Sequence, residues 1–335
     1  LGKSRSERKY VSKLFPVILK EKIKINDFFK PEDQNIYLDW TTIADYYKRT
    51  CANHKKTFTL YQDGDAQIHD YLQNLHDDWR TGKMAELAFD ESTIANADYF
   101  LNQLYDIYQP SFLTIDGINF SHRDMYKAAI RHFIWEIKRR GLFNITGITS
   151  GFLLCLSGGQ GVGKSEFFRK ICQPIIGDKF VENNMAILSD PFSINTLTNS
   201  YCICFDEMIK SQNNDVQELK HLITSNVISK RKMHSENFHN KIRTASFCGT
   251  SNRPIYSVCY DSTGSGARRY LNIEHTCPSL VNDIEKRNKL TELFNIYLKD
   301  LWKSVNENLT DGYFSINDST NKNNERLDFA RDFYV

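Results

Sequence analysis

The stretch Gly158-Gly159-Gln160-Gly161-Val162-Gly163-Lys164-Ser165 decides how the rest of the chain is interpreted. It satisfies the pattern G-x-x-x-x-G-K-[ST], in which glycines let the backbone curl around phosphate groups with its N–H groups pointing inward. The apolar run 152–156 before it is typical of a buried parallel strand, and residues 166–171 after it have helical spacing. Strand, glycine-rich turn and helix together predict a phosphate-binding loop and an ATP site that spans all eight residues.

The end of this loop carries the residues expected to act on the phosphates. Lys164 is expected to reach the β- and γ-phosphates, and the hydroxyl of Ser165 is expected to be a ligand of Mg²⁺. The alternative is a chance match to the pattern in an ordinary loop. The strand before it and the helix after it favour the functional interpretation.

Two acidic residues end the next apolar run. Residues 200–205 have the composition of a buried strand, and Asp206 and Glu207 follow it directly. Asp206 is expected to hold Mg²⁺, and Glu207 to polarise the water that attacks the γ-phosphate, because phosphoryl transfer depends on in-line positioning. The alternative is that two acids merely end a strand at the surface.

Three further polar residues follow later strands. Asn252 lies just beyond the predicted strand 243–248, at the edge of a parallel sheet where ligands bind, so its amide could sense the γ-phosphate. The alternative is an Asx-turn before Pro254. Arg268 and Arg269 follow a Gly/Ser-rich loop, and one of them could reach a neighbouring subunit's γ-phosphate. They could instead be a solvated pair at the start of a strand.

Residues 230–243 are the densest basic segment of a nearly neutral chain, whose formal net charge is +2. Lysine and arginine would follow the phosphates of a nucleic acid, while Phe238 or a histidine would touch sugar or base. The alternative is a solvated charged face. The segment could form a hairpin, and its cations are Lys230, Arg231, Lys232, Lys241 and Arg243. The residues predicted to bind DNA are Lys230, Arg231, Lys232, His239 and Lys241.

The chain of 335 residues is long enough for two or three subdomains. Residues 1–145 are expected to be a mostly helical domain, with one strong helix at about 125–140 that Gly141 ends. Residues 146–278 alternate strands and helices, which predicts an α/β core with a central parallel sheet flanked by helices. Residues 279–335 are a tail with helical periodicity. Because the chain begins with Leu1 rather than Met, we expect a fragment with neighbouring domains missing.

The sequence also gives expectations about where in the cell the protein acts and whether it binds zinc. No run of about eighteen apolar residues exists, so no membrane partner is expected. The eight cysteines form no C-x-x-C pair, and Cys51 with His54 is a single C-x-x-H, which is weak support for zinc. Free buried thiols fit a reducing cytoplasm, and we expect the cytoplasm of a bacterial host.

Taken in order, these motifs resemble those of superfamily III helicases, and more narrowly the virulence-associated protein E type of phages and mobile genetic elements, which is sometimes fused to primases. The resemblance covers about residues 150–275. The stretches that carry it are residues 158–165, Glu218–Ile223, Phe247–Arg253 and Ala267–Tyr270.

The resemblance implies a P-loop AAA+-like ATPase core, assembled as a hexameric ring that translocates on single-stranded DNA during replication. It assigns Lys164 and Ser165 to phosphate and Mg²⁺, Asp206 and Glu207 to the acidic pair, and Asn252 to the sensor. It implies that one of the two arginines acts as an arginine finger on the ATP of a neighbouring subunit. The basic hairpin is then the loop that grips DNA, and the N-terminal part is a helical collar that helps to close the ring. The hairpin reads Lys-Arg-Lys-Met-His-Ser where relatives have Arg…Tyr, which leaves its individual contacts open. A primase or polymerase is an implied partner.

Three functions remain open from the sequence. The first is an ATP-dependent DNA helicase. The second is an AAA+-like replication initiator or loader that uses ATP as an assembly switch without unwinding. The third, a small-molecule kinase or GTPase, is disfavoured because the chain has no [NT]-K-x-D guanine motif.

Overall fold

The structure is a computed structural model, which describes residues 77, 79–112, 121–145, 148, 151–175, 179–188, 190, 193–208, 213–231, 238–254, 269–310, 312 and 313. Its strands are β1 Pro110–Ser111, β2 Leu153–Gly158, β3 Phe180–Asn183, β4 Cys202–Phe205, β5 Val227–Arg231, β6 Phe238–Ile242, β7 Ser246–Thr250 and β8 Tyr270–His275. Six of them form a sheet in the order β1-β8-β2-β7-β4-β3. The short β1 is antiparallel to β8, and the other pairings in this sheet are parallel.

Helices flank this sheet. They are α1 Ile94–Tyr108, α2 His122–Ile137, α3 Lys164–Ile171, α4 Ile194–Asn199, α5 Asn213–Thr224 and α6 Ile284–Lys303. Residues 79–87 are also helical, and short 3₁₀ turns lie at Glu91–Thr93, Gln173–Ile175 and Met185–Leu188. The helices among the described residues do not combine the length and hydrophobicity needed to cross a membrane.

Apolar side chains cover both faces of the sheet, as parallel strands require. All six residues of β2 are buried. On one face, Leu154 and Leu156 pack in a core with α1, α2, α3 and α6. On the other face, Leu153 and Cys155 pack in a second core with α5. The alternation follows from the two-residue period of a strand.

The predicted α/β class is confirmed, and so is the mostly parallel central sheet flanked by helices. The strand predicted at 243–248 lies instead at Ser246–Thr250, because the backbone N–H groups of Arg243 and Ala245 pair outside the sheet, with the carbonyl oxygens of Asn226 and Leu197. The described helices of the first 145 residues share their core with the sheet and with α6. The division into three domains stays a prediction.

The helix predicted at 125–140 has a more complex end than expected. Ser121 caps α2 by accepting a hydrogen bond from the backbone N–H of Asp124 at 3.3 Å. After Ile137 the helix widens into a π-helical turn, Lys138–Leu142, which we refer to as the π turn. Gly141 is required there because a Cβ would overlap the ring of Tyr201.

The predicted free thiols agree with the described cysteines. Cys155, Cys172, Cys202, Cys204, Cys248 and Cys277 are buried, and none of these six forms a disulfide. Cys51 and Cys259 lie outside the described residues, as does the Cys51–His54 pair.

The predicted hairpin is confirmed as a separate antiparallel ribbon of β5 and β6, inserted between α5 and β7. Its root, residues 226 and 243, precedes β7 by a few residues and therefore lies near the amino ends of the parallel strands. The glycine-rich loop follows β2 and lies at their carboxyl ends. The two predicted functional segments thus occupy opposite ends of the sheet.

Candidate functional site

The glycine-rich loop between β2 and α3 depends on backbone conformations that favour glycine. Gly158, Gly161 and Gly163 have φ angles of 136°, 82° and 82°, in the region that other residues rarely adopt. A Cβ at Gly158 would overlap the carbonyl oxygen of His275, and a Cβ at Gly161 would overlap the hydroxyl of Ser279. The glycines of the motif therefore lie where backbone curvature and close packing require them.

Lys164, the first residue of α3, folds back over this loop. Its Nζ donates to the carbonyl oxygens of Gly158 and Gly159 at 2.9 and 2.8 Å. It also donates to Oδ1 of Asn252 at 3.2 Å. Burial lowers the pKa of Lys164, and the nearby Asp206 carboxylate opposes this effect. The structure thus brings two predicted site residues, 88 positions apart, into direct contact.

Asp206 joins the loop to the next two strands. Its Oδ1 accepts hydrogen bonds from the Ser165 hydroxyl at 3.0 Å and from the Thr250 hydroxyl at 2.6 Å. The Thr250 bond is the largest cause that lowers the pKa of Asp206 below its ordinary value, and Ser165 adds to it. Asp206 is therefore an ionised carboxylate at neutral pH. Ser165 and Asp206, the two predicted Mg²⁺ ligands, lie together.

Thr250 is a site residue that the sequence interpretation missed. Its hydroxyl donates to Asp206 and accepts from the backbone N–H of Glu207 at 3.3 Å, so one side chain orients both acids. The available signal was its position in Gly249-Thr250-Ser251-Asn252, two residues before the predicted sensor.

Glu207 has a backbone conformation that few non-glycine residues adopt. Its φ is 49°, in the left-handed region. The residue is exposed and lines the same cavity as Lys164, Asp206 and Asn252. Such conformations cluster at functional sites, where the surrounding structure maintains them.

The cavity next to the loop has a volume of about 540 Å³. The predicted residues form part of its lining, and another part comes from the segment that leads into α6, which packs against the loop. Leu280 donates its backbone N–H to the Gly161 carbonyl at 2.9 Å, and the Arg287 guanidinium donates to the Val281 carbonyl at 3.1 Å. With Leu290, these residues make a wall that is apolar apart from Arg287. No local pattern in the tail indicated it.

Two aromatic rings stack next to the loop. The rings of Tyr108 and His275 are 4.4 Å apart and nearly parallel, and Phe167 meets His275 edge-on. Burial lowers the pKa of His275 to about 3, and Lys164 contributes to this effect. The imidazole is therefore neutral at physiological pH. Tyr108 also lies against Gly163 and lines the cavity, so the stack packs against the loop beside the site.

Of the two arginines, Arg269 is described and Arg268 lies outside the described residues. Arg269 directly precedes β8, where Tyr270 pairs with Leu153, whereas Gly158 of the loop pairs with His275 at the other end of the strand. At about 3.3 Å per residue, roughly 16 Å of strand separates these ends. Arg269 therefore does not belong to the cavity of its own chain.

The predicted DNA-binding residues fall on the ribbon. Lys230 pairs with His239 and Ile228 with Lys241, so these four positions share one face, and Arg231 lies on the other. Lys241 is exposed. Lys232 follows β5 and lies outside the described residues.

Arg243 was counted among the cations of this basic segment, and that interpretation is wrong. The residue is 1% exposed. Its guanidinium donates to the carbonyl oxygens of Ser225 at 3.0 Å, Ile223 at 3.2 Å and Ala245. It cannot reach a nucleic acid from there. The charge pattern alone does not separate the root of a hairpin from its exposed part.

Comparison with solved structures gives distant similarity. Two structures of the NrS-1 C-terminal region align with TM-scores of 0.44 and 0.43, at 13% and 14% sequence identity. The alignments cover 70% and 72% of this chain and 51% of each NrS-1 chain, so the chain spans about half the length of these structures. No curated protein matches the chain significantly.

Comparison with protein families gives a match over most of the chain. Residues 109–331 match the family described as the virulence-associated protein E-like domain. This region contains the glycine-rich loop, Asp206 and Glu207, the ribbon, Asn252 and both arginines. The chain therefore belongs to the virulence-associated protein E-like domain family.

Proposed function

We propose that this chain is an ATP-driven motor on single-stranded DNA, a helicase that serves replication of a phage or mobile genetic element. The observation that carries the proposal is the meeting, at one cavity, of four polar side chains from three separate stretches of the sequence. They form two hydrogen-bonded pairs, Lys164 with Asn252 at 3.2 Å and Ser165 with Asp206 at 3.0 Å. Their residue types are those that phosphate and Mg²⁺ require.

The loop end would bind ATP as the substrate. Lys164 now donates to neutral oxygens, and it would donate to the β- and γ-phosphates when these are present. Ser165 and Asp206 fit a magnesium site, because their oxygens lie 3.0 Å apart and Asp206 is ionised. Mg²⁺ held there would neutralise phosphate charge during transfer. The nearly apolar wall formed by Leu280, Val281 and Leu290 would accommodate the base.

Glu207 and Asn252 would act on the attacking water. Both line the cavity on the side of the strand ends. The Glu207 carboxylate would polarise the water, and the Asn252 amide would hold the γ-phosphate or the water in line. Thr250 would maintain the positions of Asp206 and Glu207 through its two hydrogen bonds.

A neighbouring subunit would complete the site in a hexameric ring with an AAA+-like core. Arg269 lies at the opposite end of β8 from the loop of its own chain, which supports a role in trans for Arg269 or the adjacent Arg268. A guanidinium supplied in trans stabilises the charge of the transition state. The ribbon, with Lys230, Arg231, Lys232, His239 and Lys241, would grip the DNA backbone. A primase or polymerase would be the replication partner.

The test measures ATP turnover with and without single-stranded DNA, and strand separation on labelled forked DNA. For Lys164→Ala we expect turnover to fall roughly 10²–10³-fold, with strand separation abolished, because a charged ligand of the transferring phosphate is lost. Lys299→Ala, an exposed lysine on α6, is the matched control.

Electron micrographs with an ATP analogue and single-stranded DNA should contain six-fold rings. Wild-type turnover without strand separation would contradict the motor and favour the initiator or loader. Transfer of phosphate to a small molecule instead of water would indicate a kinase.

A further inference from the structure

A buried group of three charged residues lies at the root of the ribbon. Glu136 of α2, Arg140 of the π turn and Arg243 are 3%, 4% and 1% exposed. Arg140 Nε donates to Glu136 Oε1 at 2.8 Å, and Arg243 Nη2 lies 3.8 Å from the same oxygen. Burial lowers the pKa of Arg243 to about 9, and Arg140 adds to this effect, so Arg243 is still charged at neutral pH. We refer to these three residues as the root cluster.

The root cluster holds both strands of the ribbon where they leave the core. Asn226 directly precedes β5, and its side-chain oxygen accepts from Arg140 Nη1 at 2.8 Å. Arg243 directly follows β6, and its backbone N–H donates to the Asn226 carbonyl at 3.0 Å. Through Arg140 and Arg243, one carboxylate on α2 is thus tied to the first and last residues of the hairpin.

The same cluster touches the chain that leads into the glycine-rich loop. A Cβ at Gly151, two residues before β2, would lie 2.9 Å from Glu136 Oε1 and 3.2 Å from Arg140 Nη2. The backbone at Gly151 therefore passes close to both charged groups, and a side chain there would require these buried groups to shift. The root of the ribbon and the chain that leads into β2 are therefore both next to Glu136 and Arg140.

The π turn also binds the end of α6. Lys138 Nζ donates to the carbonyl oxygens of Trp302 at 3.2 Å and Val305 at 2.6 Å, and lies 2.7 Å from Glu307. Arg139 donates to the carbonyl oxygens of Glu307 and Leu309 at 2.8 and 3.0 Å. Three consecutive cations therefore hold two different elements. A π turn, common at functional sites, changes the direction of successive side chains enough to allow this.

Charged groups fix the orientation of one element relative to another more strictly than apolar groups do. An apolar contact lets surfaces slide, whereas hydrogen bonds and ion pairs specify both distance and direction. Removing one partner would leave a buried charge unpaired, which is strongly destabilising, so the cluster is maintained as a unit.

From this geometry we infer that Arg140 and Asn226 are positioning residues that hold the DNA-gripping ribbon rigidly against the strand leading to the phosphate loop. A rigid root transmits a displacement of the ribbon to the sheet, whereas a flexible root would bend and absorb it. The rigid root is a property of the fold, and only its role in DNA-dependent turnover rests on the proposed function.

The test uses Asn226, because substitution of the charged residues could prevent folding. Asn226→Ala removes the bond from Arg140 and leaves the Glu136–Arg140 pair in place. We expect amide hydrogen exchange in β5 and β6 to become roughly five- to tenfold faster, as the loss of one hydrogen bond implies, while exchange in β2 and β8 is unchanged. Asn226→Asp, which gives Arg140 a charged acceptor, should restore the slow exchange.

Asn240→Ala is the matched control, since Asn240 is an exposed asparagine of β6 away from the cluster. Unchanged exchange in β5 and β6 of Asn226→Ala would overturn the inference. So would equal acceleration in β2 and β8, which indicates general destabilisation.

Turnover of ATP supplies the functional readout. In Asn226→Ala we expect DNA stimulation of turnover to fall several-fold, with the KM for ATP and the DNA-free turnover unchanged, and with recovery in Asn226→Asp. Full DNA stimulation in Asn226→Ala would overturn the role in turnover. If the wild-type chain shows no DNA stimulation, the proposed function fails, and hydrogen exchange still decides whether the root is rigid.

Discussion

The two ends of the six-stranded sheet use buried polar groups in opposite ways. At the carboxyl ends of the strands, the loop rests on Tyr108 and on a neutral His275, whose pKa is lowered to about 3. Toward the amino ends, the ribbon rests on Arg140 and Arg243, which share Glu136 and are buried with their charges. The buried side chains that pack against the loop, Tyr108 and His275, are neutral, whereas those at the root of the ribbon, Glu136, Arg140 and Arg243, are charged.

The acceptors of the cations explain what each end can do. Lys164 donates to two carbonyl oxygens and one amide oxygen, all neutral. It can exchange them for phosphate oxygens, because charged acceptors form the stronger bonds. Arg140 donates to a buried carboxylate, and breaking such a pair costs roughly 3–5 kcal/mol. The loop end is therefore suited to bind and release a ligand, and the ribbon root is suited to stay in place.

The prediction with the largest expected effect tests whether the ATP site at the glycine-rich loop needs a residue from a neighbouring subunit. If Arg268 or Arg269 acts in trans, its substitution by alanine should lower ATP turnover roughly 10³–10⁵-fold. Mixing that variant with Lys164→Ala should restore turnover, because some interfaces then combine an intact loop with an intact arginine. Steady-state turnover of the single and mixed proteins is the measurement.

Arg123→Ala, which removes a surface ion pair with Asp106, is the control for these arginine variants. Wild-type turnover in both Arg268→Ala and Arg269→Ala would show that neither arginine contributes to ATP hydrolysis in a neighbouring subunit. A loss that mixing does not restore would place the arginine's role within its own subunit.

A second prediction concerns the support of the acids at the loop end. Thr250→Val keeps the shape of the side chain and removes the bond that most lowers the pKa of Asp206. Substituting a residue that orients a metal ligand typically costs roughly 10–100-fold in metal affinity or activity. We expect a loss of that size in turnover, measured as a function of Mg²⁺ concentration. Thr250→Ser keeps the hydroxyl and should behave like the wild type; equal losses in both would contradict the hydrogen-bonding role.

A third prediction concerns the neutral support of the loop. Below its ordinary pKa of 6.5, His275 takes up a proton in the unfolded chain, whereas the folded chain does not until about pH 3. Stability must therefore fall as the pH drops from 6.5 toward 3. At 1.36 kcal/mol per pH unit, the free energy of unfolding loses about 2 kcal/mol by pH 5 through this residue.

His275→Phe should remove this part of the acid sensitivity while keeping the stacking on Tyr108. Urea denaturation at pH 7 and pH 5 measures the difference. An equal loss of stability in variant and wild type between these pH values would show that His275 is not buried neutral.

The smallest expected effect lies on the ribbon. Lys241 is exposed, unlike Arg243 two residues later. Lys241→Ala should weaken binding to single-stranded DNA a few-fold and lower the slope of log affinity against log salt concentration by about one. DNA-free turnover should not change. Binding titrations at several salt concentrations measure the slope, with Lys299→Ala as the control. An unchanged slope would show that Lys241 does not contact the DNA phosphates.

Much of the site could be predicted because its signals are local. Glycine spacing indicates the loop, and apolar runs followed by polar residues indicate strand ends that meet at one edge of a parallel sheet. That reasoning placed Lys164, Ser165, Asp206 and Asn252, which the structure brings together. It missed Thr250, whose role depends on a neighbouring strand, and the cavity wall near Arg287, which belongs to the tail.

The sequence by itself determined the α/β class, the glycine-rich loop and the polar residues at the strand ends, because spacing along the chain specifies each of them. Only the tertiary structure decided which cations face solvent and which are buried. Lys241 and Arg243 look alike in a charge pattern, yet Arg243 meets Glu136, which lies more than a hundred residues away in the chain. Burial and pairing are properties of such long-range contacts, so the ribbon root appeared only once the chain was folded.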